Sequence, residues 1–337
     1  MYSKLGNFID GQWSNNTKEK IDVINPFNEE VLGQIPVSTK EDLDQALESA
    51  KKSFQVWKKT SPWERSKIIK KIADLIRERA DDIAKTMTLE TGKPLVEAKG
   101  ETMGSAEQFD WYSEETKRIY GQIIEPRTQD VRMQVRYEPV GVVAAFAAWN
   151  FPILLPSRKV AAAIAAGCSV IIKPASETPG TCMHMIQACK DAGLPDGVVN
   201  FVTGKSSFIS KYLIESPIIK KVSLTGSVDV GKEILHMAAD GIKKVSMELG
   251  GHAPVLVLND ADVTTAAVTS SNTKFRNAGQ VCISPTRFIV QDKVYNEYCE
   301  KFVENTKKLK LGNGLEEGTN VGPMANIRGL EHVDNLV

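Results

Sequence analysis

Between residues 140 and 248 the chain alternates short runs of β-branched and apolar residues with segments of helical pattern, which restricts the folds open to it. The strand-like runs are 142–146, 169–172, 198–202, 222–224 and 245–247. The helical segments between them are 158–166, 181–192, 207–215 and 230–239. This alternation predicts an α/β fold whose parallel sheet is covered on both faces, the doubly wound architecture that commonly binds nucleotides.

The residues before this region have a different pattern. A strand-like opening at 8–13 is followed by helical pattern from 41 to about 114, interrupted by turn signals at Thr60-Ser61-Pro62 and Gly92-Lys93-Pro94. Apolar and polar side chains then alternate over 131–137, which predicts a half-exposed strand in a hairpin. An extended arm of this kind is a candidate for pairing with a second subunit.

A further lobe is predicted after Gly250-Gly251. It contains an apolar strand at 255–258, a helix over 261–276 and a strand at 288–290. A helix-like segment at 326–337 is followed by no helix stop and no closing strand. We therefore expect this lobe to be incomplete and the chain to be truncated at its C-terminus.

Charge and cysteine content limit the classes of binding partner and the cell compartment that the sequence predicts. Lysine and arginine total 42 and aspartate and glutamate total 42, so no net field draws the chain to nucleic acid or anionic lipid. A small-molecule partner is favoured instead. The 5 cysteines form no C-x-x-C pair and the N-terminus lacks the apolar core of an export signal, which together predict a cytoplasmic protein with reduced thiols.

The sequence predicts neither a membrane-spanning helix nor a metal-binding site. Residues 139–157 carry no charge and are long enough to cross a bilayer, but Asn150, Pro152 and Pro156 interrupt them. That stretch fits a buried strand, a turn and a helix better than a lipid-embedded helix. The 4 histidines lack the paired spacing of metal ligands, so each is interpreted as a surface or packing residue.

Three residues stand where chemistry is expected. Cys282 follows a loop of small residues, which lets backbone amides approach whatever the sulfur attacks. Glu248 closes the last predicted parallel strand and Asn150 follows the first, so both belong at the crevice where such sheets bind ligands. Each has an ordinary alternative when taken alone: an inert buried thiol, a solvated glutamate and a turn asparagine.

Standard phosphate-binding fingerprints are missing. No G-x-G-x-x-G occurs, and Gly204-Lys205-Ser206 is not a P-loop because Val199 stands where that motif requires its first glycine. Any dinucleotide site in this chain must therefore be built in another way.

Taken together, these signals resemble the aldehyde dehydrogenase superfamily from about residue 8 to residue 337. The motifs that carry the resemblance occur in family order: Ala147-Ala148-Trp149-Asn150-Phe151-Pro152, Lys173-Pro174-Ala175-Ser176-Glu177-Thr178-Pro179, Thr225-Gly226-Ser227, Met247-Glu248-Leu249-Gly250-Gly251 and Gly279-Gln280-Val281-Cys282. The interval between Glu248 and Cys282 also agrees with the family. The resemblance is strongest to NAD(P)-dependent succinate-semialdehyde dehydrogenases and implies oxidation of an aldehyde to an acid.

The resemblance implies a role for each catalytic candidate. Cys282 is the expected nucleophile, which forms a thiohemiacetal that passes hydride to a nicotinamide. The Asn150 amide and the Cys282 backbone N–H are expected to hold the oxyanion, and Glu248 to act as general base. Lys159 matches a family lysine that supports Asn150; a solvent-facing helix lysine is the alternative.

The family binds its dinucleotide without a glycine fingerprint. Positions matching its cofactor contacts are Ala148, Trp149, Lys173, Ser176, Gly204, Gly226, Ser227 and Leu249. Ala148 departs from the proline of many members. Ser176 stands where relatives restricted to NAD often have glutamate, and a serine beside Lys173 suits a 2′-phosphate better than a carboxylate does. We therefore expect NAD or NADP as cofactor, with NADP accepted.

Two arginines indicate the substrate class. Arg158 and Arg276 match positions at which succinate-semialdehyde dehydrogenases hold the substrate carboxylate. Two guanidinium groups beside an aldehyde site favour an anionic substrate, since unpaired charge in a closed tunnel is costly. The alternative is that each arginine pairs with a neighbouring acidic side chain.

The resemblance also implies an organisation into parts. Residues 1–118 and 139–248 are expected to form the cofactor-binding domain, 119–138 an oligomerisation arm, and 249–337 an incomplete catalytic domain. Full-length relatives are expected to be homo-oligomers. Two other readings remain open at this point: a non-catalytic fragment that binds nucleotide or a partner without turnover, and a cofactor-independent cysteine hydrolase or acyltransferase.

Overall fold

The computed structural model describes residues 5–336, so residues 1–4 and 337, at the outer ends of the predicted domains, lie outside the described residues. Two hairpins open the chain. Strands β1 (Asn7–Ile9) and β2 (Gln12–Ser14) pair with Phe8 opposite Trp13, in agreement with the predicted strand-like opening. Strands β3 (Lys20–Ile24) and β4 (Val31–Pro36) form a second hairpin that was not predicted.

Four helices follow where helical pattern was expected: α1 (Lys40–Trp57), α2 (Pro62–Glu78), α3 (Ala80–Thr91) and α4 (Leu95–Glu115). Ser61 caps α2 ahead of its first-turn proline, and Gly92 ends α3 in the left-handed region, as the turn signals predicted. The break at Arg79 between α2 and α3 was not predicted, because no proline or glycine marks it.

Strands β5 (Gln122–Ile124) and β6 (Met133–Val135) form the predicted hairpin, but the strand is shorter than 131–137 and is not half-buried. Ile123 is 87% exposed, and the side chains of β6 are exposed or only partly buried. The expected burial of one face fails because, among the described residues, β6 pairs only with β5.

The main sheet occupies the centre of the chain. Its strands are β7 (Val142–Phe146), β8 (Ser169–Lys173), β9 (Val199–Phe201), β10 (Ile219–Gly226) and β11 (Lys244–Leu249). The alternating helices are α5 (Leu154–Ala165), α6 (Pro179–Asp191), α7 (Ser206–Glu215) and α8 (Val228–Asp240).

The strand order is β11-β10-β7-β8-β9-β1-β2, with parallel pairing from β11 to β9. This confirms the predicted doubly wound α/β class, with a correction at one edge. The first hairpin extends the sheet there in the antiparallel sense, through the pairing of Phe8 with Phe201. Large apolar clusters pack against the two faces of the sheet and bury β7 and β8 completely.

The last part of the chain contains β12 (Ala253–Val257), α9 (Val263–Phe275), β13 (Pro285–Val290), α10 (Asp292–Thr306) and α11 (Ile327–Asp334). Strands β12 and β13 are parallel and share a small core that includes Val257, Ala267 and Tyr298. The predicted strand-helix-strand pattern is thus observed, and the segment predicted at 326–337 is helical over α11. Within residues 5–336, no helix is both long and apolar enough to cross a membrane.

Candidate active site

Strand ends, the loop before β13 and one face of α11 line a cleft of about 610 Å³. The residues predicted for chemistry or cofactor binding that line this cleft are Ala148, Trp149, Asn150, Gly226, Ser227, Glu248, Leu249 and Cys282. The parallel strands β7, β10 and β11 end at the same edge of the sheet, which brings together segments far apart in the sequence. Six other predicted site residues do not line this cleft: Lys159, Lys173, Ser176, Gly204, Arg158 and Arg276.

The loop that carries Cys282 has an unusual backbone. Asn277, Ala278 and Gly279 lie consecutively in the left-handed region, with φ values of 51°, 55° and 77°. Glycine and asparagine tolerate this conformation well, whereas alanine adopts it at a cost. The three residues turn the chain sharply after α9 and place Cys282 against the cleft.

The thiol of Cys282 is electrostatically linked to Glu248. Partial burial raises the pKa of Cys282, and the Glu248 carboxylate raises it further through its charge and a hydrogen bond. Backbone N–H groups of Cys282 and Ile283 act in the opposite direction. The free thiol is therefore protonated near neutral pH, and a carboxylate that can accept its proton lies beside it.

Glu248 is exposed on β11, the edge strand, where it pairs in register with Thr225. It also lines a second cavity of about 530 Å³, together with Lys159. The Lys159 ammonium donates to Ser223 Oγ at 3.1 Å. Burial lowers the pKa of Lys159 to about 8, and the charge of Glu248 opposes that shift.

These contacts differ from the support of Asn150 that was expected of Lys159. The observed hydrogen bonds of Asn150 run to other residues, while the ammonium of Lys159 belongs to the surroundings of Glu248. The reason is geometric: Lys159 lies within α5, which begins after the Asn150 loop, and its ammonium faces Ser223 of β10.

Asn150 is held on both its side chain and its backbone. Its Nδ2 donates to the Gln280 carbonyl at 3.1 Å, and its own carbonyl accepts from Lys93 Nζ at 2.9 Å and Asn277 Nδ2 at 3.1 Å. An amide nitrogen has a second hydrogen, which leaves a donor for a ligand. The Asn150 Oδ1 atom is buried and has no hydrogen-bond partner among the described residues, so a donor on a bound molecule would satisfy it.

A buried ion pair underlies this loop. Lys93 and Glu101 are in contact with only 1% and 0% of their side chains exposed. The same carboxylate accepts from the backbone N–H groups of Ile153 at 3.1 Å and Leu154 at 3.2 Å, at the start of α5. The Lys93 ammonium also lies 4.2 Å from the centre of the Phe151 ring.

Sequence reasoning missed Lys93, Glu101 and Asn277 as site residues. Gly92-Lys93-Pro94 was interpreted only as a turn, and Asn277 only as part of a small-residue loop. A lysine directly after a helix-ending glycine carries no local signal of burial, because its partners Glu101 and Asn150 come from other elements.

Lys173, Ser176 and Gly204 form a separate group at the end of β8. The buried Lys173 ammonium donates to Ser206 Oγ at 2.6 Å and to Ser176 Oγ at 3.5 Å, and Ser176 Oγ donates to the Gly204 carbonyl at 3.4 Å. Burial lowers the pKa of Lys173 to about 8, and the charge of Glu177 opposes this. The neighbouring Glu177 lies 3.7 Å from the Arg328 guanidinium, which offsets its negative charge.

Arg158 and Arg276 are exposed and lie in different surroundings. Arg158 lines the second cavity with Glu248 and Lys159. The Arg276 guanidinium lies 5.1 Å from the Phe151 ring centre and close enough to Glu97 to influence that carboxyl. Neither arginine is among the described residues that line the cleft at Cys282, so two guanidinium groups flanking that cleft are not observed.

Comparison with known proteins shows which family the chain resembles. Residues 13–337 match the aldehyde dehydrogenase family. The chain is 40% identical over 330 residues to the succinate-semialdehyde dehydrogenase (NADP(+)) GabD of Escherichia coli, with 98% of this chain and 68% of that protein covered. A glutarate-semialdehyde dehydrogenase of Pseudomonas putida is 40% identical over 335 residues, with 98% of this chain and 70% of that protein covered.

Solved structures show the same similarity. An NADP-dependent enzyme of Escherichia coli superimposes with a TM-score of 0.97 at 40% identity, over 98% of this chain and 69% of that one. A succinate-semialdehyde dehydrogenase from Burkholderia pseudomallei superimposes with a TM-score of 0.97 at 36% identity, over 98% of this chain and 69% of that one. The sequence and the fold agree, and the chain belongs to the aldehyde dehydrogenase family.

Proposed function

We propose that this chain oxidises a carboxylate-bearing semialdehyde, succinate semialdehyde or a close analogue, to the corresponding acid with NAD or NADP. The observation that carries the proposal is the meeting of Cys282, Glu248 and Asn150 at one cleft. A thiol, a carboxylate beside it and an amide donor are the three groups that acyl chemistry through a thioester requires. The names of the relatives support a semialdehyde as substrate.

The residues at the cleft fit a dinucleotide. Ser227 lines the cleft and caps α8, whose N-terminal amides suit a phosphate group. Gly250 and Gly251 also line it, and the positions that a Cβ would occupy there are open space. The unpartnered Oδ1 of Asn150 offers an acceptor to a bound polar group. Ser227 and the α8 amides would hold a phosphate of the cofactor. Ala148 and Asn150 would hold its nicotinamide end.

The chain's own residues account for the remaining steps. Glu248 accepts the thiol proton of Cys282, and the thiolate attacks the aldehyde carbon to form a hemithioacetal oxyanion. The second N–H of the Asn150 amide and the backbone N–H of Cys282 donate to that oxyanion. When bound, the nicotinamide supplies the hydride acceptor. Glu248 releases the thiol proton to solvent and then removes a proton from water, which attacks the resulting thioester. Collapse of that adduct releases the acid and expels the Cys282 thiolate, which takes the proton back from Glu248.

NADP is an accepted cofactor in this proposal. Lys173, Ser176 and Ser206 form a cationic, hydroxyl-rich group at the end of β8, where the resemblance places the ribose. The charge of Glu177 acts on Lys173 and would disfavour a 2′-phosphate, and Arg328 offsets that charge. A bound phosphate would in turn favour the charged form of the buried Lys173.

The substrate carboxylate is assigned to Arg158 and Arg276 as a proposal. Both guanidinium groups are exposed, and within residues 5–336 neither forms an ion pair, so each keeps its charge available for an anion. Arg276 is close in sequence to the Cys282 loop, and Arg158 lies on the cavity that Glu248 shares with the cleft.

We further propose the organisation expected from the sequence: a cofactor-binding domain of residues 1–118 and 139–248, an arm of residues 119–138, and a catalytic part from residue 249. The exposed β5–β6 hairpin is the segment through which subunits would pair. Within residues 5–336 its two strands pair only with each other, and this and the exposed Ile123 support that role.

The test is reduction of NAD and of NADP, each with succinate semialdehyde and with butanal, beside a Cys282→Ala control. We expect turnover that favours the semialdehyde, occurs with NADP as well as NAD, and disappears in Cys282→Ala. Nucleotide binding without any reduction would contradict the proposal and favour a non-catalytic protein. Ester hydrolysis without any aldehyde oxidation would favour a cofactor-independent hydrolase.

A further inference from the structure

A closed set of hydrogen bonds joins two neighbouring loops at the cleft, the one that carries Asn150 and the one that leads to Cys282. The Nδ2 atom of Asn277 donates to the carbonyl of Asn150 at 3.1 Å and to the carbonyl of Gln280 at 3.2 Å. The Asn150 side chain donates to the same Gln280 carbonyl at 3.1 Å. Lys93 supplies the second donor to the Asn150 carbonyl. Each of these carbonyl oxygens therefore accepts two hydrogen bonds, which uses both of its lone pairs.

Asn277 itself is held firmly. Its side chain and backbone are 3% exposed, and its backbone N–H donates to Glu97 Oε2 at 2.9 Å. Its carbonyl accepts from the backbone of Gln280 at 3.1 Å and from the Gln280 side chain at 3.0 Å. Its left-handed φ of 51° is maintained by these contacts. One residue thus connects α4, the Asn150 loop and the Cys282 loop.

We propose that Asn277 is a positioning residue that fixes the separation of the two oxyanion donors, the Asn150 amide and the Cys282 backbone N–H. The inference rests on the proposed function, because the oxyanion that these donors would stabilise belongs to that reaction. Asn277 itself would not touch the substrate. Its physical basis is that such donors stabilise a developing charge only when they are aimed at it in advance. A displacement of about 1 Å in such a site costs about 10²-fold in rate.

The alternative is that Asn277 only stabilises the fold. Loss of its hydrogen bonds would then lower stability without a selective effect on oxyanion chemistry. Asn305 offers a matched control, because its Nδ2 also makes two hydrogen bonds, to Ser271 Oγ at 2.6 Å and to Asn272 Oδ1 at 2.9 Å. Those bonds join α9 to α10 and lie outside the cleft.

The experiment compares Asn277→Gly, Asn305→Ala and wild type in three reactions. Glycine keeps the left-handed backbone accessible while it removes both side-chain donors. The reactions are aldehyde oxidation, hydrolysis of p-nitrophenyl acetate without nucleotide, and alkylation of Cys282 by iodoacetamide over a range of pH. The first two pass through an oxyanion and the third does not, so alkylation reports the thiol alone.

For Asn277→Gly we expect kcat for oxidation and for ester hydrolysis to fall about 10²-fold. We expect KM for the aldehyde and the limiting alkylation rate to stay within about twofold of wild type, as a positioning role requires. Asn305→Ala should keep all three rates. The inference is overturned if the alkylation rate falls as far as ester hydrolysis does, or if Asn277→Gly behaves like Asn305→Ala.

A second variant tests the inference if Asn277→Gly does not fold. Asn277→Asp keeps the size of the side chain and the tolerance for a positive φ, but its carboxylate only accepts hydrogen bonds. It should show the same selective loss, and failure of both variants to fold would overturn the inference in favour of a structural role. Wild-type ester hydrolysis without aldehyde oxidation would defeat the proposed function alone, and wild type without either activity would defeat both.

Discussion

The two sides of the candidate nucleophile are built differently. On the Asn150 side, the supporting residues Lys93, Glu101 and Asn277 are 2%, 3% and 3% exposed and bind one another or the loop backbone. On the other side, Glu248 lies on the edge strand of the sheet and is exposed to two cavities. One side of the cleft, the rigid side, is buried and held by hydrogen bonds, and the other, the open side, is exposed.

This difference corresponds to different chemical demands. An oxyanion site works through donors that do not reorganise during the reaction, which requires buried and fully bonded supports. A general base that activates water needs access for that water and room for its carboxylate to move between proton donors. The buried network therefore suits the first task and the exposed edge strand the second.

The largest effect should come from the open side. Glu248→Gln keeps the shape of the side chain but removes the base, so steady-state turnover should fall about 10²–10⁴-fold. The variant loses the acceptor for the thiol proton but also the charge that raises the pKa of Cys282, so the thiol can still ionise to solvent. Rapid mixing should therefore show one equivalent of reduced nucleotide per site, formed more slowly than in the wild type, before turnover stalls. The exposed Glu233 on α8 provides the control, since Glu233→Gln should keep full turnover. Loss of the first equivalent along with the steady state would refute this division of labour.

The buried ion pair on the rigid side should respond mainly in stability. Lys93→Met leaves the fully buried Glu101 carboxylate without its counterion, so the free energy of unfolding should fall by about 3–5 kcal/mol in chemical denaturation. The exposed pair Lys51–Glu48 is the comparison, and Lys51→Met should cost no more than about 1 kcal/mol. Equal losses for the two variants would remove the contrast between the two sides.

A smaller effect concerns recognition of the substrate. Arg276→Ala should raise KM for succinate semialdehyde about tenfold, the equivalent of one charged hydrogen bond, and leave KM for butanal unchanged. Steady-state kinetics with both aldehydes measure the ratio. If both KM values rise together, the guanidinium acts through its stacking on Phe151 and not through the substrate carboxylate.

The smallest effect is a pH dependence of NADP binding. The pKa of Lys173 is lowered to about 8 by burial, so its ammonium is lost as the pH rises through 8. A bound 2′-phosphate favours the charged form, and the dissociation constant for NADP should therefore rise about fivefold between pH 7 and pH 9. Fluorescence titration with NAD should show no such rise, and Lys173→Met should abolish it for NADP. A parallel rise for NAD would trace the effect to another group.

Much of the fold could be predicted because its signals are local. Each strand of the parallel sheet was located from a run of β-branched residues. Proline and glycine located the breaks between α1 and α2 and between α3 and α4. The β3–β4 hairpin escaped prediction although Asn25-Pro26 marks a turn between its strands. The break at Arg79 escaped prediction because it has no strong turn residue. The expected half-burial of 131–137 was wrong because alternation specifies two faces but not what covers them.

The sequence by itself determined the candidate reactive groups of this protein: a thiol after a small-residue loop at Cys282, a carboxylate at a strand end at Glu248, and an amide after a strand at Asn150. Such positions can be recognised because loops at strand ends follow from local pattern. Only the tertiary structure decided how these groups are supported. Asn277 binds Glu97 and Asn150, and Lys93 binds Glu101 and Asn150, across 8 to 180 residues of sequence. Burial and hydrogen-bond partners arise when distant segments pack together, and no local pattern records them.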